Sequence, residues 1–208
     1  MARSKSCNMS YQRAQIIVAL WAAFGPPSLP LSIPLKLVPK VFVRRVRNFL
    51  DRGVGITVDR RARQKGVFQE YEVEDAIELG IGLSLQDAGM PQSEIVDFLL
   101  GFQKIIRTHI RSMPTSVEPK QFPHFLIVTP HGLAETIRQF GPQPELNAWG
   151  EKLAFFKPKF IKTEVEWRSF ARNIGWPSAA SIVIEIGGLA TSLHIKLPKS
   201  EALQRGRQ

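Results

Sequence analysis

Apolar positions first gather between Ala14 and Phe24, with Ile16, Ile17, Val18, Leu20 and Trp21 closed off by Gly25, Pro26 and Pro27. A block that ends in glycine and proline predicts a helix over 11–24. Five prolines then fall within 26–39, among Leu29, Leu31, Ile33, Leu35, Leu37 and Val38. That mixture predicts an irregular connection that packs against the protein. From Pro39 the pattern turns helical again, because proline is tolerated in a first turn where its missing N–H has no partner. Val43, Val46, Phe49 and Leu50 form one apolar stripe, and Gly53 ends it. Val54–Val58 and Val67–Tyr71 read as two strands joined by the loop Asp59–Gly66, a hairpin pattern.

Apolar steps of four (Val73, Ile77, Ile81, Leu85) predict a helix over 73–88, although Gly80 and Gly82 each weaken it by up to about 1 kcal/mol. Gly89-Met90-Pro91 breaks the pattern. Ser93 is placed to cap a further helix running through Ile95, Val96, Leu99, Phe102, Ile106 and Ile110 to Pro114. Three prolines within 112–123 predict a linker. Beyond it we expect a strand at Phe125–Thr129, a helix at about 131–140, packed aromatics at Trp149 and Phe155-Phe156, and a helix over 163–174 with Val165 and Phe170 in the core. Gly187-Gly188 between Ser181–Ile186 and Leu189–Leu197 predicts a second hairpin. The sequence shows no internal repeat.

Charge changes this picture most between Lys36 and Gly66. The basic residues Lys36, Lys40, Arg44, Arg45, Arg47, Arg52, Arg60, Arg61, Arg63 and Lys65 face only Asp51 and Asp59, so the segment holds +8 of the chain's +10. Charge concentrated in this way points to a polyanion, and a sequence pI near 10.1 fits a nucleic-acid footprint. Helix, connection, basic helix, hairpin, helix, helix is the order of a winged helix-turn-helix. A major groove about 12 Å wide admits one α-helix, and the hairpin would lie on the adjacent backbone as a wing. Arginine suits both tasks, since its planar fork matches guanine edges and phosphate oxygens. The expected DNA-binding residues are Lys40, Arg44, Arg45, Arg47 and Arg52 on the helix, with Arg60, Arg61, Arg63 and Lys65 on the wing.

Three stretches carry a resemblance to a known family: Phe42 to Gly53, Arg60-Arg61 followed by Tyr71-Glu72-Val73-Glu74-Asp75-Ala76, and Asp87-Ala88-Gly89-Met90-Pro91-Gln92-Ser93-Glu94-Ile95. In their order and spacing over roughly residues 11–112 they resemble the MerR-type transcriptional regulators. The resemblance implies a winged helix-turn-helix that binds double-stranded DNA through the basic helix and wing. The chain departs from that pattern in its proline-rich connection, in lacking paired tyrosines on the recognition helix, and in Pro114, which cuts short the family's coiled-coil helix. Only DNA binding by helix and wing is carried over.

The expected fold class is α+β: a winged helix-turn-helix domain over 11–112, then a small α/β or α+β domain over 124–197 with helices on one face of its sheet, and flexible tails at 1–10 and 198–208. The second domain would dimerise the protein or bind a small-molecule effector or protein partner. A homodimer is expected because palindromic sites double the contacts.

Catalytic chemistry finds no footing. His109, His124, His131 and His194 lack metal-ligand spacing. No nucleophile elbow is present, and Glu164 and Glu166, two apart on a helix, make a poor acid–base pair. Gly187-Gly188 lacks the lysine-serine pair of a phosphate cradle, and Trp149, Trp167 and Trp176 read as packed aromatics. No enzyme activity, metal or cofactor is expected. The single cysteine, Cys7, rules out an internal disulfide and fits a reducing cytoplasm. The N-terminal apolar block, preceded by Arg3 and Lys5, also has the shape of a secretory signal, though it is too short to span a bilayer. A buried first helix is the preferred alternative, with no membrane partner. The rival function is an interaction or assembly protein whose basic face docks an acidic protein without reading DNA sequence. RNA binding ranks third, for want of exposed aromatics among the basic residues.

Overall fold

Helices form where the apolar blocks fall. The computed structural model describes residues 10–25, 33–56, 69–113, 123–128, 158–173 and 181–200. Among these the elements are α1 (Arg13–Phe24), a 3-10 turn (Leu35–Leu37), α2 (Lys40–Asp51), α3 (Val73–Asp87), α4 (Gln92–Gly101), α5 (Gln103–Ser112), β1 (Phe125–Val128), β2 (Lys159–Ile161), α6 (Glu164–Asn173), β3 (Ile182–Glu185) and α7 (Ile186–Lys196). The class is mixed α+β. No described helix is long and apolar enough to cross a membrane.

The chain divides into two units, residues 1–79 with 192–208 and residues 80–191, the boundaries falling within α3 and α7. In the first unit, α1 is apolar nearly all round and is buried at Ile16, Ile17, Val18, Ala19 and Leu20. Gln15 closes its N-terminus, its Oε1 accepting the Gln12 N–H at 2.8 Å. At the other end the Lys196 ammonium donates to the Ala22 carbonyl, which satisfies one of α1's open acceptors. α2 packs against α1, with Trp21 and Phe42 edge-to-face at 5.1 Å. Tyr11 and Tyr71 form an antiparallel bridge that ties the chain before α3 to the chain before α1. Asp75 caps α3 by accepting the Glu72 N–H at 2.6 Å.

The first expected hairpin is not seen where it can be followed. Residues 54–56 are turn and bend instead of strand. Gly53 (φ 82°) and Gly55 (φ 76°) both take the left-handed conformation, which a strand cannot hold. On the returning side only Tyr71 pairs, and residues 57–68, with the expected loop, lie outside the described residues.

In the second unit the sheet is three-stranded and antiparallel in the order β2-β1-β3. Leu126 pairs with Phe160 and with Ile184, so these three share one face. On that face His109 of α5 stacks on Phe160 at 3.9 Å. On the opposite face Trp167 of α6 stacks on Phe125 at 4.8 Å. Helices therefore cover both faces, where one was expected. The single helix expected over 93–112 is two, broken at Phe102 after Gly101, and the first starts from Pro91 instead of Ser93. The second expected hairpin is corrected outright: Gly187-Gly188 lies in the first turn of α7. Ile186, Ala190, Leu193 and Leu197 are buried at helical spacing, and that apolar period overrides the turn signal of the glycines. Val165, expected in the core, is 77% exposed. The helix expected at 131–140, the Trp149 and Phe155-Phe156 segment and most of the 112–123 linker lie outside the described residues.

Candidate nucleic-acid interface

The basic helix forms as its pattern predicts. Phe42, Val46, Phe49 and Leu50 are buried, with Phe42 in place of Val43 at the head of the stripe. At about 100° per residue these four fill one arc. Lys40, Arg44 and Arg47 fall together on an outer flank, and Arg52 lies with Arg45 on the other flank, within roughly 20° of it. Lys40, Arg44, Arg47 and Arg52 are exposed and Arg45 is half-buried. The helix starts from Pro39 with no acidic residue in its first turn, so its free N–H groups and macrodipole add to the positive character of that end.

Between the two cationic flanks lie Val41, 73% exposed, and Asn48, also exposed. Leu37, in the preceding 3-10 turn, is 65% exposed. Val41 thus leaves an apolar side chain in water beside the cations of α2.

One participant was not foreseen. Arg13, at the start of α1, donates from Nη2 to Asp51 Oδ1 at 2.7 Å. Their side chains are 42% and 65% exposed. The only acid of α2 is thus held by a cation from another helix. Nothing in the sequence spacing pairs positions 38 apart, so only the packing of α1 on α2 reveals it. Tyr71 lies in the same neighbourhood; burial raises its hydroxyl pKa, against a lowering influence from Arg13.

Arg60, Arg61, Arg63 and Lys65 lie outside the described residues. The chain on either side of them is anchored in the first unit: Val54 and Ile56 are buried, and Tyr71 is bridged to Tyr11.

Several ionisable residues of the second unit hold its local structure. Glu166 and Thr163 form a reciprocal capping box: the Thr163 N–H reaches Glu166 Oε2 at 3.2 Å and the Glu166 N–H reaches Thr163 Oγ1 at 3.2 Å. The Lys162 N–H also donates to Glu166 Oε2 at 2.7 Å, and these backbone donors hold the carboxyl below its usual range. Glu164 pairs with Arg168 at 2.6 Å. His109 is 5% exposed and lies 5.6 Å from His124 between ring centres. Burial first, then the nearby charges of Lys162 and His124, lowers the His109 pKa from 6.5 to about 4. Among the described residues no group of three or more His, Cys, Asp or Glu is placed to hold a metal. The chain matches no protein-family model, no curated protein and no solved structure.

Proposed function

We propose that the protein is a sequence-specific DNA-binding protein, a transcriptional regulator of winged helix-turn-helix type that reads duplex DNA with α2. The observation that carries this reading is the division of α2 into a buried apolar stripe and an outer face flanked on both sides by cations. A helix held by one face and charged on the other suits a groove walled by phosphates. Arg60, Arg61, Arg63 and Lys65 belong to the same reading as contacts to the flanking backbone. The MerR-type resemblance, a homodimer on a palindromic site and a cytoplasmic location are parts of the same proposal, and a role for residues 124–197 in dimerisation, effector binding or contact with a protein partner completes it.

Fluorescence anisotropy with a labelled duplex over a salt series tests it. Removing one cation that neutralises a phosphate makes the slope of log K against log[salt] shallower by about 0.9. Arg44→Ala with Arg47→Ala, both on exposed positions, should therefore weaken binding and make the slope shallower by about 2. Unchanged retention of duplex DNA by that variant overturns the proposal. Salt-dependent binding to every polyanion alike, with no preference among DNA sequences, supports instead a basic face that docks an acidic protein.

A further inference from the structure

Arg44 points most directly away from α2's buried stripe, and beside it the outer face carries an uncharged strip. Val41 and Asn48 lie within about 20° of one another around the helix, midway between the Arg44 and Arg45 flanks. They are seven residues apart, about 10.5 Å along the axis, which matches roughly three base-pair steps of 3.4 Å. Both are exposed. A valine 73% exposed on this helix gains nothing from its place in the fold, and leaving it in water is unfavourable. With Arg44 on one side and Arg45 and Arg52 on the other to meet phosphates, the uncharged residues between them are left to meet base edges.

We propose, on the footing that α2 is the helix that enters DNA, that Val41 and Asn48 are its base-reading residues. Asn48 takes the N6 and N7 positions of an adenine with its amide, and Val41 packs on the C5-methyl of a thymine. These are the pairings that an amide and a small apolar side chain make in a major groove. The surrounding arginines then supply position and affinity, and the two uncharged residues supply discrimination. The site should carry an adenine preference and a thymine preference about three base pairs apart.

Selection from random duplex DNA with the full chain and with Asn48→Ala and Val41→Ser separates the possibilities. The wild type should enrich a defined site. Asn48→Ala should lose about tenfold of its preference for adenine at one position, and Val41→Ser a comparable preference for thymine at the other. Neither variant changes charge, so affinity for random duplex and the salt slope should stay at wild-type values, which also reports that the variants are folded. A defined wild-type site recovered unchanged by both variants overturns the base-reading assignment and leaves DNA binding standing. No enriched site for the wild type overturns the DNA-reading proposal itself.

Discussion

Lowering the pH should destabilise the protein through His109. This imidazole is buried in the second unit, stacked on Phe160, and its Nε2 finds no hydrogen-bond partner among the described residues. Burial disfavours a protonated ring there, and Lys162 and His124 would repel it. The folded pKa of about 4 lies below the ordinary 6.5, so the unfolded chain binds the proton first. Stability is therefore fully present above about pH 6.5, falls as the pH drops through the window from 6.5 to about 4, and has lost the whole contribution below it. Proton linkage with these two values gives a loss of about 2 kcal/mol between pH 7 and pH 5, and about 3 kcal/mol in the limit. His124, lowered by burial and by Lys162 against an opposing pull from Glu166, acts in the same direction. The assay is urea unfolding followed by circular dichroism at both pH values, for the wild type and for His109→Phe, which keeps a ring against Phe160 and cannot titrate. The variant should lose about 2 kcal/mol less than the wild type over this interval. An equal loss in both proteins would refute the assignment of the acid sensitivity to His109.

Three further outcomes follow from the packing. Phe49→Ala removes a fully buried ring from α2's inner stripe and should cost about 3–5 kcal/mol in urea denaturation, with duplex binding recovered wherever the variant remains folded. Gly55→Ala should cost about 1–2 kcal/mol, because φ is +76° and a Cβ would meet the Asp75 carbonyl oxygen at 3.1 Å; a melting temperature at or above wild type would contradict this. For Arg13 and Asp51, a double-mutant cycle should give a coupling below about 1 kcal/mol, since both side chains are well exposed. Asp51→Asn should at the same time tighten duplex binding at low salt, an effect that fades as salt rises.

Much of the helical skeleton was legible because it rests on local rules. Apolar steps at helical period with proline or glycine at the ends located α1, α2 and α3 to within a few residues, and α6 was placed as closely without such ends. The placement of Lys40, Arg44, Arg47 and Arg52 on α2's outer face followed from the same period, since a buried stripe leaves the rest of the helix to solvent. What failed was decided by partners distant in the chain. β2 is three residues long, too short to show an alternation, and exists through its pairing with β1. Leu189–Leu197 carries enough β-formers to suggest a strand, yet Ala190, Leu193 and Leu197 are buried on one side of a helix, with Ile195 left 49% exposed. Val165 is apolar at a position that tertiary packing leaves outside.

By itself the sequence determined where charge is concentrated and which helix carries it, because composition and helical period are properties of neighbouring residues. Only the tertiary structure decided that Arg13 neutralises Asp51, that helices cover both faces of the sheet, and that Val41 and Asn48 stand uncovered between the cations. Each of these depends on which surfaces meet, and such meetings are set by the burial of segments far apart along the chain.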